Sequence, residues 1–161
     1  LFALRPTLVF KKGQNTLCSR ISSKRIFNIL EDLGFPKGKK NNLIIPSWIS
    51  ANKKLFLSFV RGMYDTDGSK ILRTRGQHSI SLGLNNQKLI LDIKHFLEQM
   101  DYFVSYNECL QKDKRGFSSK IFCIRINQKK LIKQFKDQIG SSNPYKLNKL
   151  EKMTRSGTAG I

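Results

Sequence analysis

Acidic residues are scarce in this chain: 11 Asp and Glu stand against 30 Lys and Arg, giving a net charge of +19 over 161 residues. An excess of that size calls for a polyanionic partner, either nucleic acid or an anionic membrane surface. No apolar run approaches the ~20 residues of a membrane span. The basic residues are also spread over the whole chain, so nucleic acid is the expected partner and no membrane is implied. Cysteines are few: Cys18, Cys109 and Cys123, an odd count without CxxC spacing. That excludes a disulfide framework and a zinc-finger set, and it fits an intracellular, reducing compartment such as cytoplasm, nucleoid or organelle matrix. The two histidines, His78 and His95, have no metal-ligand spacing and read as structural or surface residues. No Ser-His-Asp or Cys-His arrangement and no phosphate-cradling glycine loop is visible. Residue 1 is Leu and no secretory signal is present, so the chain is expected to begin inside a longer gene product.

What is there centres on Ala51 to Arg75. Leu55, Phe56, Phe59, Val60 and Met63 recur with the spacing of one helix face. The helix is expected to stop at an acidic turn, Asp65-Thr66-Asp67-Gly68, followed by a basic strand with Lys70, Arg73 and Arg75. Between Asp32 and Asp92 the only acidic residues are Asp65 and Asp67, set among ten Lys and Arg. Two carboxylates at a helix C-terminus oppose the helix dipole, where Lys or Arg is favoured. Together with bare helix-end carbonyls they offer an all-oxygen site for a hard cation such as Mg²⁺. The tetrapeptide alone also reads as a plain turn, since Asp-Gly is a common hairpin signal. An EF-hand loop is excluded because no Glu follows before Glu98.

Along the chain, residues 2–12 predict a strand broken at Pro6, and residues 16–21 a second strand. A helix capped by Ser22 or Ser23 then runs to about Leu33 and is closed by Gly34. Residues 35–50 read as a linker, with Leu43 to Ile45 extended against a core and Trp48 a core anchor. After the central helix come strands over 69–75 and 77–84, a helix over 86–100, strands over 103–112 and 118–126, and a helix over 128–139. The tail is expected to be polar, weakly helical over 147–153 and loose over its last eight residues. One segment is repeated: Leu17 to Asp32 matches Phe122 to Asp137 without a gap, 105 residues later. Cys18, Arg20, Ile21, Lys24 and Asp32 recur as Cys123, Arg125, Ile126, Lys129 and Asp137. Five identities in register across a strand-helix junction point to duplication.

Val60-Arg61-Gly62-Met63-Tyr64-Asp65-Thr66-Asp67-Gly68 resembles the LAGLIDADG motif of homing endonucleases. Gly62, Asp65, Asp67 and Gly68 match its letters, whereas Arg61 and Tyr64 replace an alanine and an aliphatic residue. The element order from Lys53 onward is similar to one complete domain of that family. The resemblance implies an α/β (α+β) fold, αββαββα, with an antiparallel sheet forming a DNA-binding saddle. Residues 1–34 then look like the second half of a preceding domain, 35–50 a linker, and 51–161 the complete second domain with its tail. In that family two domains pair through their motif helices, which would account for a helical Gly62. Here a partner chain or a missing N-terminal part would supply the second helix.

The same resemblance assigns roles. Asp67 matches the metal-binding Asp, with the Thr66 carbonyl as an extra ligand for Mg²⁺ (or Mn²⁺), and Asp65 supports the helix end. Asn85 takes the place of the residue that orders active-site water, and Arg125 that of the basic residue on phosphate, where Lys is commoner. Ser69, Ile71, Arg73 and Arg75 are expected to share a DNA-facing sheet surface with Gln77, Ser79 and Ser81, while Lys112, Lys114 and Arg115 would meet backbone phosphates. The implied function is site-specific, metal-dependent cleavage of duplex DNA, as in intron or intein mobility. The alternative is a non-cleaving relative, an RNA-binding intron maturase or a DNA-binding regulator.

Overall fold

The computed structural model describes residues 5–10, 17–35, 43–68, 72–74, 77–112 and 116–155. The chain forms two compact units, Leu1–Lys37 and Gly38–Ile161.

In the first unit, strands β1 (Thr7–Phe10) and β2 (Leu17–Arg20) pair antiparallel and lead into helix α1 (Lys24–Asp32). The Ser23 hydroxyl caps α1 by accepting from the Ile26 N–H at 3.3 Å. Gly34, at φ +91°, ends it. Its N–H donates to Glu31 O and that of Phe35 to Leu30 O, the two bonds of a Schellman cap. The apolar side chains of this unit find little cover: α1 buries no residue, and Leu8, Phe10, Phe27 and Leu30 are exposed.

The second unit contains α2 (Ser47–Ser50), α3 (Lys53–Asp67), β3 (Leu72–Thr74), β4 (Gln77–Leu84), α4 (Gln87–Glu98), β5 (Ser105–Lys112), β6 (Ser118–Ile126), α5 (Lys129–Gln138) and α6 (Pro144–Arg155). The strands form one antiparallel sheet in the order β3-β4-β6-β5. One face is apolar: Ile80 and Leu82 of β4 and Phe122, Ile124 and Ile126 of β6 are buried. Phe56, Val60 and Tyr64 of α3, Ile90, Ile93 and Leu97 of α4, and Ile132 and Phe135 of α5 complete the core. The alternate residues Ser79, Ser81, Gly83, Cys123 and Arg125 stay partly open on the other face, as a period of two requires. The αββαββα order is therefore present, with α2 and α6 added. The repeated segments match as structures: α1 and α5 begin at the equivalent Lys24 and Lys129, each after an antiparallel hairpin.

Several expectations are corrected. The acidic residues do not form a turn; α3 runs through Asp67 and ends at Gly68. The apolar residues of α3 divide into two stripes. Phe56, Val60 and Tyr64 are buried, whereas Leu55, Phe59 and Met63 remain half-buried or exposed. Within the expected linker, Ile45 is buried, as packing of Leu43 to Ile45 against a core predicts, and Leu43 O accepts from Asn86 Nδ2 at 3.0 Å, but Ser47–Ser50 form α2 with Ile49 buried. Trp48 is 42% exposed, and its neighbour Ile49 is the core anchor instead. The tail helix is longer than its composition indicated. Asn143 Oδ1 accepts from the Tyr145 N–H at 3.0 Å, Pro144 takes the first helical position, and Leu150 and Met153 are buried.

Candidate functional site

The C-terminal end of α3 meets the sheet at an isolated bridge between Gly68 and Leu82. A Cβ on Gly68 would lie 2.2 Å from Tyr64 O, so this turn needs glycine for the close approach of backbone and not for an unusual φ. Gly68→Ala is expected to destabilise the fold by about 1–3 kcal/mol, as overpacking against unyielding backbone does. Urea unfolding measures it, and an unchanged midpoint would refute the close approach.

The two carboxylates of the last turn have different fates. Asp65 is fastened: its Oδ1 accepts from the Ser141 hydroxyl and its Oδ2 from the Ser142 N–H at 2.9 Å. Burial alone would raise its pKa, but hydrogen bonds from Ser141, Ser142 and Asn143 outweigh this and hold the carboxyl below its usual range. Asp67 is exposed, and among the described residues no cation lies within ion-pair distance of it. Its Oδ2 accepts from the Thr66 hydroxyl at 2.9 Å; that hydroxyl also lies within bonding distance of the Gly62 and Met63 carbonyls.

The carbonyls of the helix end are not bare. Lys146 Nζ donates to Tyr64 O at 2.6 Å, Asp65 O at 3.0 Å and Gly68 O at 2.9 Å. It also stands 5.3 Å from the Tyr64 ring centre. Burial, with the charge of Asp65, pushes the Tyr64 hydroxyl up to about 12. Arg61 makes a reciprocal contact, its Nε donating to Ile139 O just past the end of α5. The replacement of an alanine by Arg61 thus has a structural use.

Across β4, Ser81 pairs with Arg125, which in turn pairs with Ser105. The Gly68 backbone and the Arg125 backbone lie on opposite sides of β4, two strand spacings or roughly 10 Å apart. Arg125 Nε is buried and has no hydrogen-bond partner among the described residues. Beside this row lie Gly83, Cys123 and Asn107, a neutral, polar surface. Burial, then the neighbouring Cys109, push the Cys123 thiol above its ordinary 9.0, so it is a thiol and not a nucleophilic thiolate at neutral pH.

The structure thus brings Asp67, Thr66, Ser81 and Arg125 to one region. Asn85 is exposed and three residues beyond Leu82, about 10 Å along the strand from the helix end. The next residue, Asn86, is buried and caps α4 by accepting from the Leu89 N–H at 3.0 Å. The register pairs Arg73 with His78, and Leu72 and Thr74 with Ser79 and Gln77. The expected alignment of Arg73 with Ser79 and Ser81 is therefore not the one formed. Ser69, Ile71, Arg75, Lys114 and Arg115 lie outside the described residues, and Lys112 is exposed at the end of β5. Sequence reasoning missed Lys146 and Ser141; the Asn-Pro helix start at Asn143 was the available signal.

A family model for the LAGLIDADG-like domain matches residues 55–140, more than half of the chain. The chain belongs to the LAGLIDADG family. That is a family of nucleases and DNA-binding proteins whose domains pair, and the matched residues run from α3 to the end of α5. In this LAGLIDADG domain, groups of three or more His, Cys, Asp or Glu able to hold a metal are absent among the described residues. Asp67 and the Thr66 carbonyl fit part of an oxygen shell for a hard cation, and only part. No helix among the described residues is long and apolar enough to cross a membrane.

Proposed function

We propose that this chain is one half-site unit of a metal-dependent endonuclease that cuts duplex DNA at a specific sequence. The carrying observation is the contrast at the end of α3: Asp65 is consumed by Ser141 and Ser142, while Asp67 is left exposed and without an ion pair among the described residues. A carboxylate presented this way in a chain of charge +19 is suited to a divalent ion shared with phosphate. When bound, Mg²⁺ or Mn²⁺ would polarise the phosphodiester and activate water. The protein's own part is to hold that ion with Asp67 and Thr66 O and to set Arg125 against phosphate charge. The unsatisfied Arg125 Nε supports the last role, since a buried N–H without a partner is a standing cost that an anion would relieve. Ser79, Ser81, Ser105 and Asn107 offer hydrogen-bonding groups to base edges. The three free thiols support a reducing compartment.

With Asp67 as the one motif carboxylate free for metal in this chain, a second motif helix would complete the site. Its docking face is the exposed stripe Ser58, Gly62 and Thr66, flanked by Leu55 and Phe59. The first unit reads as the second half of a preceding domain, because its apolar side chains lack the cover that a first half would supply. Binding to duplex DNA should be steeply salt-dependent, each neutralised phosphate adding about 0.9 to the negative slope of log K against log salt. Fluorescence anisotropy over a salt series measures it, and a slope near zero would remove the nucleic-acid reading. A protein that binds DNA steeply yet never cuts in Mg²⁺, with both motif helices present, would be a maturase or regulator instead.

A further inference from the structure

Two helices in this fold carry charges at the wrong ends. Asp65 and Asp67 occupy the last turn of α3, where the helix already bears about half a negative charge. Lys146 occupies the first turn of α6, where the helix bears about half a positive charge. Each placement is unfavourable within its own helix. In the folded protein the Lys146 ammonium is delivered to the carbonyls at the C-terminal end of α3, where a cation is favoured. Its three donors are matched by three acceptors, those of Tyr64, Asp65 and Gly68. The Thr66 carbonyl receives none of these three bonds.

We propose that Lys146 is the positioning residue of the metal end: a tethered cation that fixes the backbone on both sides of Asp67 and occupies the helix-end carbonyls. A divalent ion is thereby left with the Asp67 carboxylate and Thr66 O. The metal part of this inference rests on the function proposed above; the fixing of the backbone does not. Three further contacts make the arrangement rigid. The Asp65 carboxylate is tied to Ser141 and Ser142, Arg61 is tied to Ile139 O, and α6 is anchored through Leu150, which is fully buried. A surface lysine placed only for solubility would need no such set of partners. Local rules are broken at both helix ends: the Lys146 ammonium is taken up by carbonyls at the end of α3, while Asp67 keeps no ion pair among the described residues, which marks a position where the fold serves something besides its own stability.

The whole chain suffices for the test. Its first reading uses the unaltered protein: ammonium protons held by three acceptors exchange slowly, so ¹⁵N-edited NMR should show the Lys146 ammonium where those of the exposed Lys130 and Lys133 are lost to water. Absence of that signal would overturn the proposal even if no variant folded. In Lys146→Met, amide hydrogen exchange at Asp65 to Gly68 should rise about tenfold or more while Ile90 and Ile93 of α4 change less than about twofold, and Lys146→Arg should recover part of the protection. An equal rise in α3 and α4, or no rise, would overturn it. Mg²⁺ added alone should shift the backbone signals of Thr66 and Asp67 in the unaltered protein and those of Tyr64 and Asp65 as well in Lys146→Met. If Mg²⁺ shifts nothing near Asp67 in either protein, the metal reading fails, and the exchange data still decide whether Lys146 fixes the backbone.

Discussion

Replacing Asp67 by asparagine should lower DNA cleavage by at least about a thousandfold, the equivalent of several kcal/mol of lost transition-state stabilisation. The carboxylate is exposed, accepts a hydrogen bond only from its neighbour Thr66 among the described residues, and has no stabilising ion pair among them. Its removal should therefore leave stability almost unchanged. Binding to DNA without metal should hold or tighten slightly, because a negative charge facing phosphate is gone. Asp65→Asn should behave in the opposite way. It gives up the bonds from Ser141 and Ser142, so it should lower stability more than chemistry. Both variants need the paired protein, either a homodimer of this chain or the chain with its second motif helix restored. Cleavage is then followed in Mg²⁺ and binding in Ca²⁺ on a mapped target. Full cleavage by the Asp67→Asn protein would end the assignment.

Gly62 should give effects of opposite sign on folding and on pairing. It is exposed in mid-helix, and a Cβ there would meet nothing within 4 Å. Gly62→Ala should thus stabilise the isolated chain by about 0.5–1 kcal/mol through helix propensity alone. A second helix seated on Ser58, Gly62 and Thr66 would be held off by any side chain at 62, so Gly62→Leu should weaken pairing about a hundredfold or more, the scale of a lost central contact. Sedimentation at graded concentration measures pairing, and thermal unfolding measures the chain itself. If both variants pair as the native chain does, the docking face lies elsewhere.

The elements were legible in the sequence wherever local chemistry and periodicity agreed. Ser23 and Gly34 bound α1, and the alternation that sets Ser79 and Ser81 outward places Ile80, Leu82 and Leu84 toward the core, where Ile80 and Leu82 are buried and Leu84 only half-buried. Asp65-Thr66-Asp67-Gly68 reads as a turn because Asp-Gly is a common hairpin signal, and nothing local shows what steadies two carboxylates against the helix dipole. The correcting cation, Lys146, lies 81 residues away from Asp65 and on another helix. Trp48 reads as a core anchor in the sequence but is exposed; Ile49, one residue on, faces the core instead. Arg73 was grouped with Ser79 by extrapolating alternation from Asp67, while the ladder itself pairs it with His78. Within the site, Asp67 and the strand carrying Arg125 were readable from the motif and the repeat. What Asp65 does was not, since its partners Ser141 and Ser142 are ordinary residues in a polar stretch.

The match to the family ends at Gly140, whereas the groups that hold Asp65 and the carbonyls at the end of α3 begin at Ser141. Modularity therefore does not follow the boundary of resemblance. A fragment cut at residue 140 would retain every letter of the motif and lose the Ser141 and Ser142 contacts, the Lys146 ammonium and the Leu150 and Met153 anchors together. At the other border, a cut before Leu55 would discard Ile45, Ile49 and the Leu43 carbonyl that Asn86 holds. For recombination, transplantation or chimera design, the transferable module of this protein is accordingly the compact unit Gly38–Ile161, not the shorter span that sequence kinship outlines.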